Sequence, residues 1–458
     1  METTLQKIKI KGLHGKRDIE ATIDDDTLIL VGENGSGKTT FLRLLYHVLS
    51  GKWLSLIQYR FDSIEVVISG VKYEISREEL SRGFEKIDRR FLAELPPPAR
   101  RRLMELLREG DSDRIPFELE RIQARYGIPT EIVMRQLNLF EDQPRGLGKE
   151  VQGRIAQIQK AINAQILYLP TYRRIERELS SIFEGFDPDD IRRNRYRMHA
   201  RETEKAFIEL VEFGMQDVEK AIKTTLEGIK DFARESLTNL TLKYLGAVVN
   251  REYLDVGMNE IANTPEDTIR GVLNRIHESI LTSGHKEHLF NVINSARTNS
   301  APDEHTKIIC HYFLKLLSFQ KALETKEKNI SEFCALCSAY IVDKQFVYDN
   351  ATFEFDIRPL QSSDESPGID LSDLSSGEKQ IVSLFSHLYL SGKNRFFVLI
   401  DEPELSLSVP WQRRFLSDIR KGNFCAGLIA VTHSPFIYEN ELKPYAHSLG
   451  EFVTVGER

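Results

Sequence analysis

Leu28–Leu49 reads LILVGENGSGKTTFLRLLYHVL. An apolar run enters a glycine-studded loop, and apolar residues at helical spacing follow it. Gly32, Gly37, Lys38 and Thr39 fit the pattern G-x-x-x-x-G-K-[ST], which predicts a strand, a phosphate-binding loop and a helix. The glycines let the backbone N–H groups of Asn34, Gly35, Ser36 and Gly37 turn toward an anion without a Cβ in the way. A helix starting near Lys38 adds its positive end to the same anion, with Thr40 in its first turn. Lys38 is expected to reach the β- and γ-phosphates of a nucleotide, and Thr39 to hold Mg²⁺.

A phosphate loop needs a second carboxylate on the metal. Arg395–Ser408, RFFVLIDEPELSLS, supplies one: a buried apolar strand delivers Asp401 to its C-terminal end, where ligands collect in an open α/β sheet. Asp401 is expected to bind Mg²⁺ directly or through water. Glu402 follows at once and is the natural general base for an attacking water. A further apolar run, LIAVTHSPF, ends at Thr432-His433. His433 would contact the γ-phosphate or position the water; the alternative is a structural histidine at a strand end.

Asp373–Phe385, DLSSGEKQIVSLF, reads as an exposed loop opening a helix. Together, GENGSGKTT, LSSGEKQ, VLIDEPE and VTHSP resemble the nucleotide-binding heads of ABC-type ATPases. The Asn34-Gly35 step and the SGEK form resemble the SMC, RecF and OLD branch more than transporter heads. The resemblance implies an α/β, P-loop ABC-type ATPase head, with ATP and Mg²⁺ sandwiched between two copies. It makes Ser375, Ser376, Gly377 and Glu378 a signature motif that caps the ATP of the other copy. Lys38, Thr39, Asp401, Glu402 and His433 take the roles argued above. Two positions depart from the family: Ser376 replaces the usual second signature glycine, and Ser408 stands where many relatives have histidine.

Composition sets the outer limits. The chain has 458 residues, 41% hydrophobic and 29% charged, with a net charge of -7. Those values fit a globular protein and give no global basic field for nucleic acid, so any such contact must be a local patch. No apolar run is long enough to span a membrane, and METTLQKIKIKG lacks an apolar signal core. A cytoplasmic protein is expected. The 4 cysteines are too few for a disulfide framework. Cys334 and Cys337 lie in ISEFCALCSAYIV, which reads as a buried helix; a zinc site would need two more ligands, and Cys310-His311 is a poor second half.

The ends and the middle differ. Residues 1–75 are strand-rich (KIKIK, IEATI, TLILV, IEVVI) and form the N-terminal lobe of the head with the phosphate loop. Residues 76–340 form a large, mostly helical insertion containing one head strand near 164–170. Residues 341–458 form the C-terminal lobe, carrying the signature, the Asp401–Glu402 strand and the His433 loop. Within the insertion, EKAFIELVEFGMQDVEKAIKTTLEGIKDF places Phe207, Leu210, Val211, Met215, Val218, Ile222, Leu226 and Ile229 at helical spacing. No long heptad run persists, so an extended coiled coil is not expected.

The insertion is too long for a transporter head and lacks SMC arms, while few residues follow His433 to house a Toprim nuclease of the OLD kind. What remains resembles stand-alone ATPases of bacterial anti-phage modules. QILYLPTYRRIE looks like the corresponding segment of Septu-type ATPases, including those that accompany retrons. It would put Arg173 or Arg174 near the nucleotide or the subunit interface; the alternative is a surface loop where they pair with Glu176 or Glu178. The resemblance implies a head dimer or a larger homo-oligomer that senses infection and restrains a separate nuclease, HNH rather than Toprim as in the PARIS type. Arg192–Arg201, IRRNRYRMHAR in context, suits a nucleic-acid backbone or an acidic partner, or is a solvated face neutralised by its acidic neighbours. The competing reading is a DNA-repair ATPase of the SMC/RecF kind that clamps DNA directly.

Overall fold

The computed structural model of the protein describes residues 4–15, 17–33, 35–52, 56, 59–80, 96–98, 101–102, 121, 149–170, 207–209, 215–276, 281–298, 302–360, 368–393, 395–405 and 407–455. In chain order these form β1 (Leu5–Leu13), β2 (Arg17–Thr22), β3 (Thr27–Val31), α1 (Lys38–Ser50), β4 (Ser63–Ile68), β5 (Val71–Ser76), α2 (Lys149–Ile162), β6 (Gln165–Leu169) and β7 (Phe207–Glu209). Next come α3 (Met215–Val249), α4 (Met258–Asn263), α5 (Glu266–Asn274), α6 (Ser283–Ala296), α7 (Glu304–Tyr340), β8 (Lys344–Asp349), β9 (Glu354–Pro359) and α8 (Ser376–Leu390). The chain closes with β10 (Phe396–Asp401), α9 (Val409–Lys421), β11 (Cys425–Val431), β12 (Ala446–Ser448) and β13 (Val453–Val455). Two compact units result: Met1–Glu212 with Lys393–Arg458, and Phe213–Gly392.

Among its described residues the first unit holds two sheets. One has 6 strands in the order β12-β3-β11-β10-β6-β7, and every neighbouring pair in it is parallel. All residues of β10 are buried, which is why its sequence is continuously apolar rather than alternating. The other sheet has 5 strands, β13-β2-β1-β4-β5, all antiparallel. Here β4 alternates strictly, burying Ile64, Val66 and Ile68. One core joins the sheets: Ile8 and Ile10 of β1, Phe41 and Leu45 of α1, Ile158 of α2, and Phe397 and Leu399 of β10 belong to the same buried cluster. Across the β10–β11 ladder, Phe397 faces Gly427, and a Cβ at 427 would lie 2.3 Å from the Phe397 ring. The glycine is there to admit that ring.

Helical spacing places Phe207 in the helix that continues through Ile229, yet Phe207–Glu209 is the strand β7, paired in parallel with Ile166–Tyr168 of β6; the described helix runs Met215–Val249, and Leu210 and Val211 lie outside the described residues. Helical spacing favoured the helix; the unpaired edge of β6 offered the same residues a backbone ladder, and their aromatic and β-branched side chains suit a strand.

Among its described residues, the second unit is helical apart from the β8–β9 hairpin. Its helix α3 has 35 residues and α7 has 37. Asp303 caps α7 by accepting from the Thr306 N–H. A buried cluster of Ile261, Ile269, Leu273, Phe290, Ile293, Phe313 and Leu317 joins α4, α5, α6 and α7. Farther along α7, Phe333 packs on Phe346 and Phe355 of the hairpin. Cys334 and Cys337 are buried on α7; burial pushes the Cys334 thiol up to about 12 and the Cys337 thiol well above its ordinary value. Glu327 is buried and is shared by Arg275 and Tyr348, so its charge is paired inside the unit. No described helix is long and apolar enough to cross a membrane.

Candidate functional site

Leu28–Leu49 folds as strand, loop and helix: β3, then Gly32–Gly37, then α1. Gly32, Gly35 and Gly37 have φ of 134°, 81° and 100°, the left-handed side that residues with a Cβ avoid. No side chain caps α1, and its first turn holds no acid. Its leading N–H groups are therefore left for an outside anion. A Cβ built on Gly35 would meet nothing within 4 Å, so the loop rim is open. The side chain of Lys38 donates to the carbonyl oxygens of Gly32 at 2.8 Å and Glu33 at 2.9 Å, and approaches Ser36 Oγ at 3.4 Å. Lys38 is only 4% exposed. Burial lowers its pKa, against the pull of Glu402, Asp401 and Glu404. Thr40 lies one residue beyond Thr39, half-buried.

The parallel sheet brings three strand ends to this loop. Strand β11 sits between β3 and β10, so the loop and Asp401 stand two strands apart. The gap is bridged from α1: Thr39 Oγ1 donates to Asp401 Oδ1 at 3.0 Å, across 362 residues of sequence. Asp401 is buried. A hydroxyl and a carboxylate oxygen side by side, below an open N–H cradle, are the hard oxygen donors that Mg²⁺ takes beside a phosphate. The residues present fit both ATP and Mg²⁺.

Glu402 follows with its backbone at φ 53°, the left-handed region that costs a residue with a Cβ on the order of 1 kcal/mol. Its N–H still donates to Val431 O at 2.8 Å, so the ladder holds up to the point where the chain turns. Burial raises the Glu402 pKa; Asp401 and Glu404 add to this, while His433 and Lys38 oppose it. Those neighbours show what the fold gathers at one place: the lysine of the loop, three carboxylates and the exposed His433.

Glu404 is the residue that sequence reasoning passed over. Its Oε2 accepts from Thr432 Oγ1 at 2.8 Å, and its Oε1 accepts from the His433 N–H at 2.7 Å. Ser434 Oγ in turn donates to Gln412 Oε1 at 2.6 Å, and Gln412 Nε2 donates to Leu407 O at 2.9 Å. The signal was available: a third acid two positions past Glu402, behind a proline, is more charge than a turn needs. Nothing local, however, says which backbone it meets.

Ser375–Glu378 lie in the second unit, at the start of α8. Ser375 is the N-cap and forms a capping box with Glu378: Ser375 N donates to Glu378 Oε2 at 2.7 Å, and Glu378 N to Ser375 Oγ at 3.4 Å. Glu378 is buried, and its Oε1 accepts from Lys344 Nζ at 2.9 Å. Ser375 and Ser376 are exposed, and Gly377 is half-buried. The motif thus divides into a glutamate spent on local structure and two serines presented at a helix's positive end. Asn34, Arg173, Arg174 and the Arg192–Arg201 stretch lie outside the described residues.

A search of curated proteins returned no match. Among solved structures, an Smc head domain with an extended coiled coil, bound to the C-terminal domain of ScpA and derived from Pyrococcus furiosus, is similar at 12% identity. That match covers 95% of this chain and 90% of the other, with a TM-score of 0.35. The family model described as AAA ATPase domain matches residues 4–438. With nearly its whole length matched, this chain belongs to the AAA ATPase domain family.

Proposed function

We propose that this chain is an ABC-type ATPase that binds MgATP on the loop between β3 and α1 and hydrolyses it with Glu402 as general base. The carrying observation is the 3.0 Å contact of Thr39 Oγ1 with Asp401 Oδ1, which joins loop and acidic strand end into one metal-sized site. Asn34, Gly35, Ser36 and Gly37 offer backbone N–H groups to the phosphates, and Thr40 continues that row along α1. Lys38 turns its ammonium from the loop carbonyls to the β- and γ-phosphates. Thr39 and Asp401 hold Mg²⁺, which when bound neutralises charge on the phosphate oxygens. Glu402 takes a proton from the attacking water; the burial that raises its pKa makes it a better base. His433 orients that water or the γ-phosphate.

The purified chain should hydrolyse ATP. Lys38→Ala should lose nucleotide binding, and Glu402→Gln should bind ATP without turnover and trap a nucleotide-bound pair. Wild-type turnover in Glu402→Gln would sink the assignment of the base.

The unit of function is a pair of heads, in which Ser375, Ser376 and Gly377 of one copy cap the γ-phosphate held by the other. The exposure of both serines at the start of α8 supports this. The partner is a separate nuclease in anti-phage defence, HNH rather than Toprim, with this chain as sensor and scaffold. That part is supported by the resemblance of QILYLPTYRRIE and its Arg173-Arg174 pair to Septu-type ATPases. Co-purification with neighbouring gene products, with and without ATP, tests it. Recovery of the chain without a partner, together with tight duplex DNA binding by the chain alone, would favour a DNA clamp instead.

A further inference from the structure

We propose that Glu404 is a positioning residue: it ties the backbone of His433 to the turn that carries Glu402, so that the histidine and the base keep one spacing through turnover. This rests on the hydrolysis reading above.

The two loops concerned leave neighbouring parallel strands, β10 and β11, and at their ends the ladder stops. The last ladder bond is Glu402 N to Val431 O. Beyond it nothing in strand geometry holds one loop to the other. The side chain of His433 is exposed. Its backbone is tied to the Glu402 turn by two bonds to Glu404, from Thr432 Oγ1 at 2.8 Å and from His433 N at 2.7 Å, and to β3 by Thr432 N, which donates to Leu30 O at 3.1 Å. Thr432 is fully buried, and its Oγ1 also accepts from Ser434 N at 3.0 Å, so the hydroxyl is fixed from both sides. Both Glu404 oxygens are occupied in this clamp. A carboxylate is suited to the task because it accepts at two oxygens at once. Charge-assisted bonds are also stronger than neutral ones.

The test is a kinetic cycle on ATP hydrolysis. Glu404→Ala should lower kcat about tenfold or more while leaving KM for ATP within about twofold, because a displaced catalytic group costs rate rather than binding. Glu404→Gln, which keeps one acceptor oxygen for the His433 N–H and can offer its NH₂ to Thr432, should recover to within about threefold of wild type. In a His433→Ala background, Glu404→Ala should cost less than about twofold more, since residues acting as one unit are non-additive. An undiminished tenfold loss in that background would overturn the proposal, as would equal losses in Glu404→Ala and Glu404→Gln. If thermal melting shows Glu404→Ala to be misfolded, Thr432→Val, which removes only the hydroxyl, is put through the same cycle with the same criteria. Wild-type turnover in Glu402→Gln would instead overturn the hydrolysis reading, and would do so whatever the Glu404 variants show.

Discussion

Replacing Ser375 by aspartate separates the two jobs of the signature loop. Ser375 is exposed at the N-cap of α8, and its Oγ accepts only a long bond, 3.4 Å, from Glu378 N. Its own N–H, which donates to Glu378 Oε2 at 2.7 Å, is kept by any residue but proline. Aspartate caps as well as serine does and favours the positive helix end, which offsets the like charge of Glu378 in the capping box, so the melting temperature should move little. Paired with a γ-phosphate from another copy, however, the new carboxylate meets like charge. At ~4 Å and an effective dielectric of ~20, one such charge pair costs roughly 4 kcal/mol. A pair carries that cost at each of its two reciprocal sites, so pairing weakens by at least about 10³-fold. Sedimentation velocity on a Glu402→Gln background, with and without ATP, reads this directly. The parent should pair with ATP; the Ser375→Asp form should stay monomeric while binding ATP as before. Ser375→Ala is the control: it loses the cap bond, on the order of 0.5–1 kcal/mol of stability, yet adds no charge. Ser375→Arg is less informative, because it removes the cap and adds bulk together. ATP-driven pairing of Ser375→Asp within about threefold of the parent would refute the in-trans role of this loop.

Three other outcomes are expected. Glu378→Gln should cost about 2 kcal/mol in urea unfolding, because the Lys344 ammonium then lacks its buried counter-charge. Burial alone would raise the Glu378 pKa, but Lys344 and the Ser375 bonds prevail and lower it; the wild-type cap therefore contributes above the unfolded value of 4.5 and weakens as pH falls below it. The Gln variant should lack that acid limb, and an unchanged one would count against the pairing. Gly427→Ala should destabilise by about 1–3 kcal/mol, since a Cβ 2.3 Å from the fully buried Phe397 ring forces β10 and β11 apart; a melting temperature equal to wild type would contradict the packing. Cys310, Cys334 and Cys337 should resist iodoacetamide at pH 8 until the chain is unfolded, because burial holds Cys310 near about 11 and Cys334 near about 12. Unfolded thiols ionise near 9.0, so the stability these protonated thiols hold below that pH is lost as pH rises above it. Rapid labelling of the folded protein would show the α7 face to be open.

Local order was written locally. Leu28–Leu49 specified strand, loop and helix because glycine, lysine and threonine at that spacing leave the backbone few other choices. The apolar runs of β10 and β11 announced buried parallel strands, and each delivered its polar group, Asp401 or Thr432-His433, at the strand's end. Gln165–Leu169 was legible as a strand inside a helical region, and it pairs with β10. Phe207–Glu209 was not legible: its side chains satisfy a helical period and a strand equally, and only the free edge of β6 chose between them.

Distance along the chain hid the rest. The order of the parallel sheet, with β11 between β3 and β10, follows from packing of the whole core and from no single stretch. That order sets how far apart the loop and the acidic strand end stand, and so which atoms can share a metal. The contact of Thr39 with Asp401 spans 362 residues, and no residue near either end encodes it. The clamp of Glu404 on Thr432 and His433 is decided in the same way, by two strands that stop side by side. Residue types and spacing told which groups can do phosphate chemistry. Only the tertiary structure decided which of them touch, because a hydrogen bond depends on angstroms between strands and sequence records only the order along them.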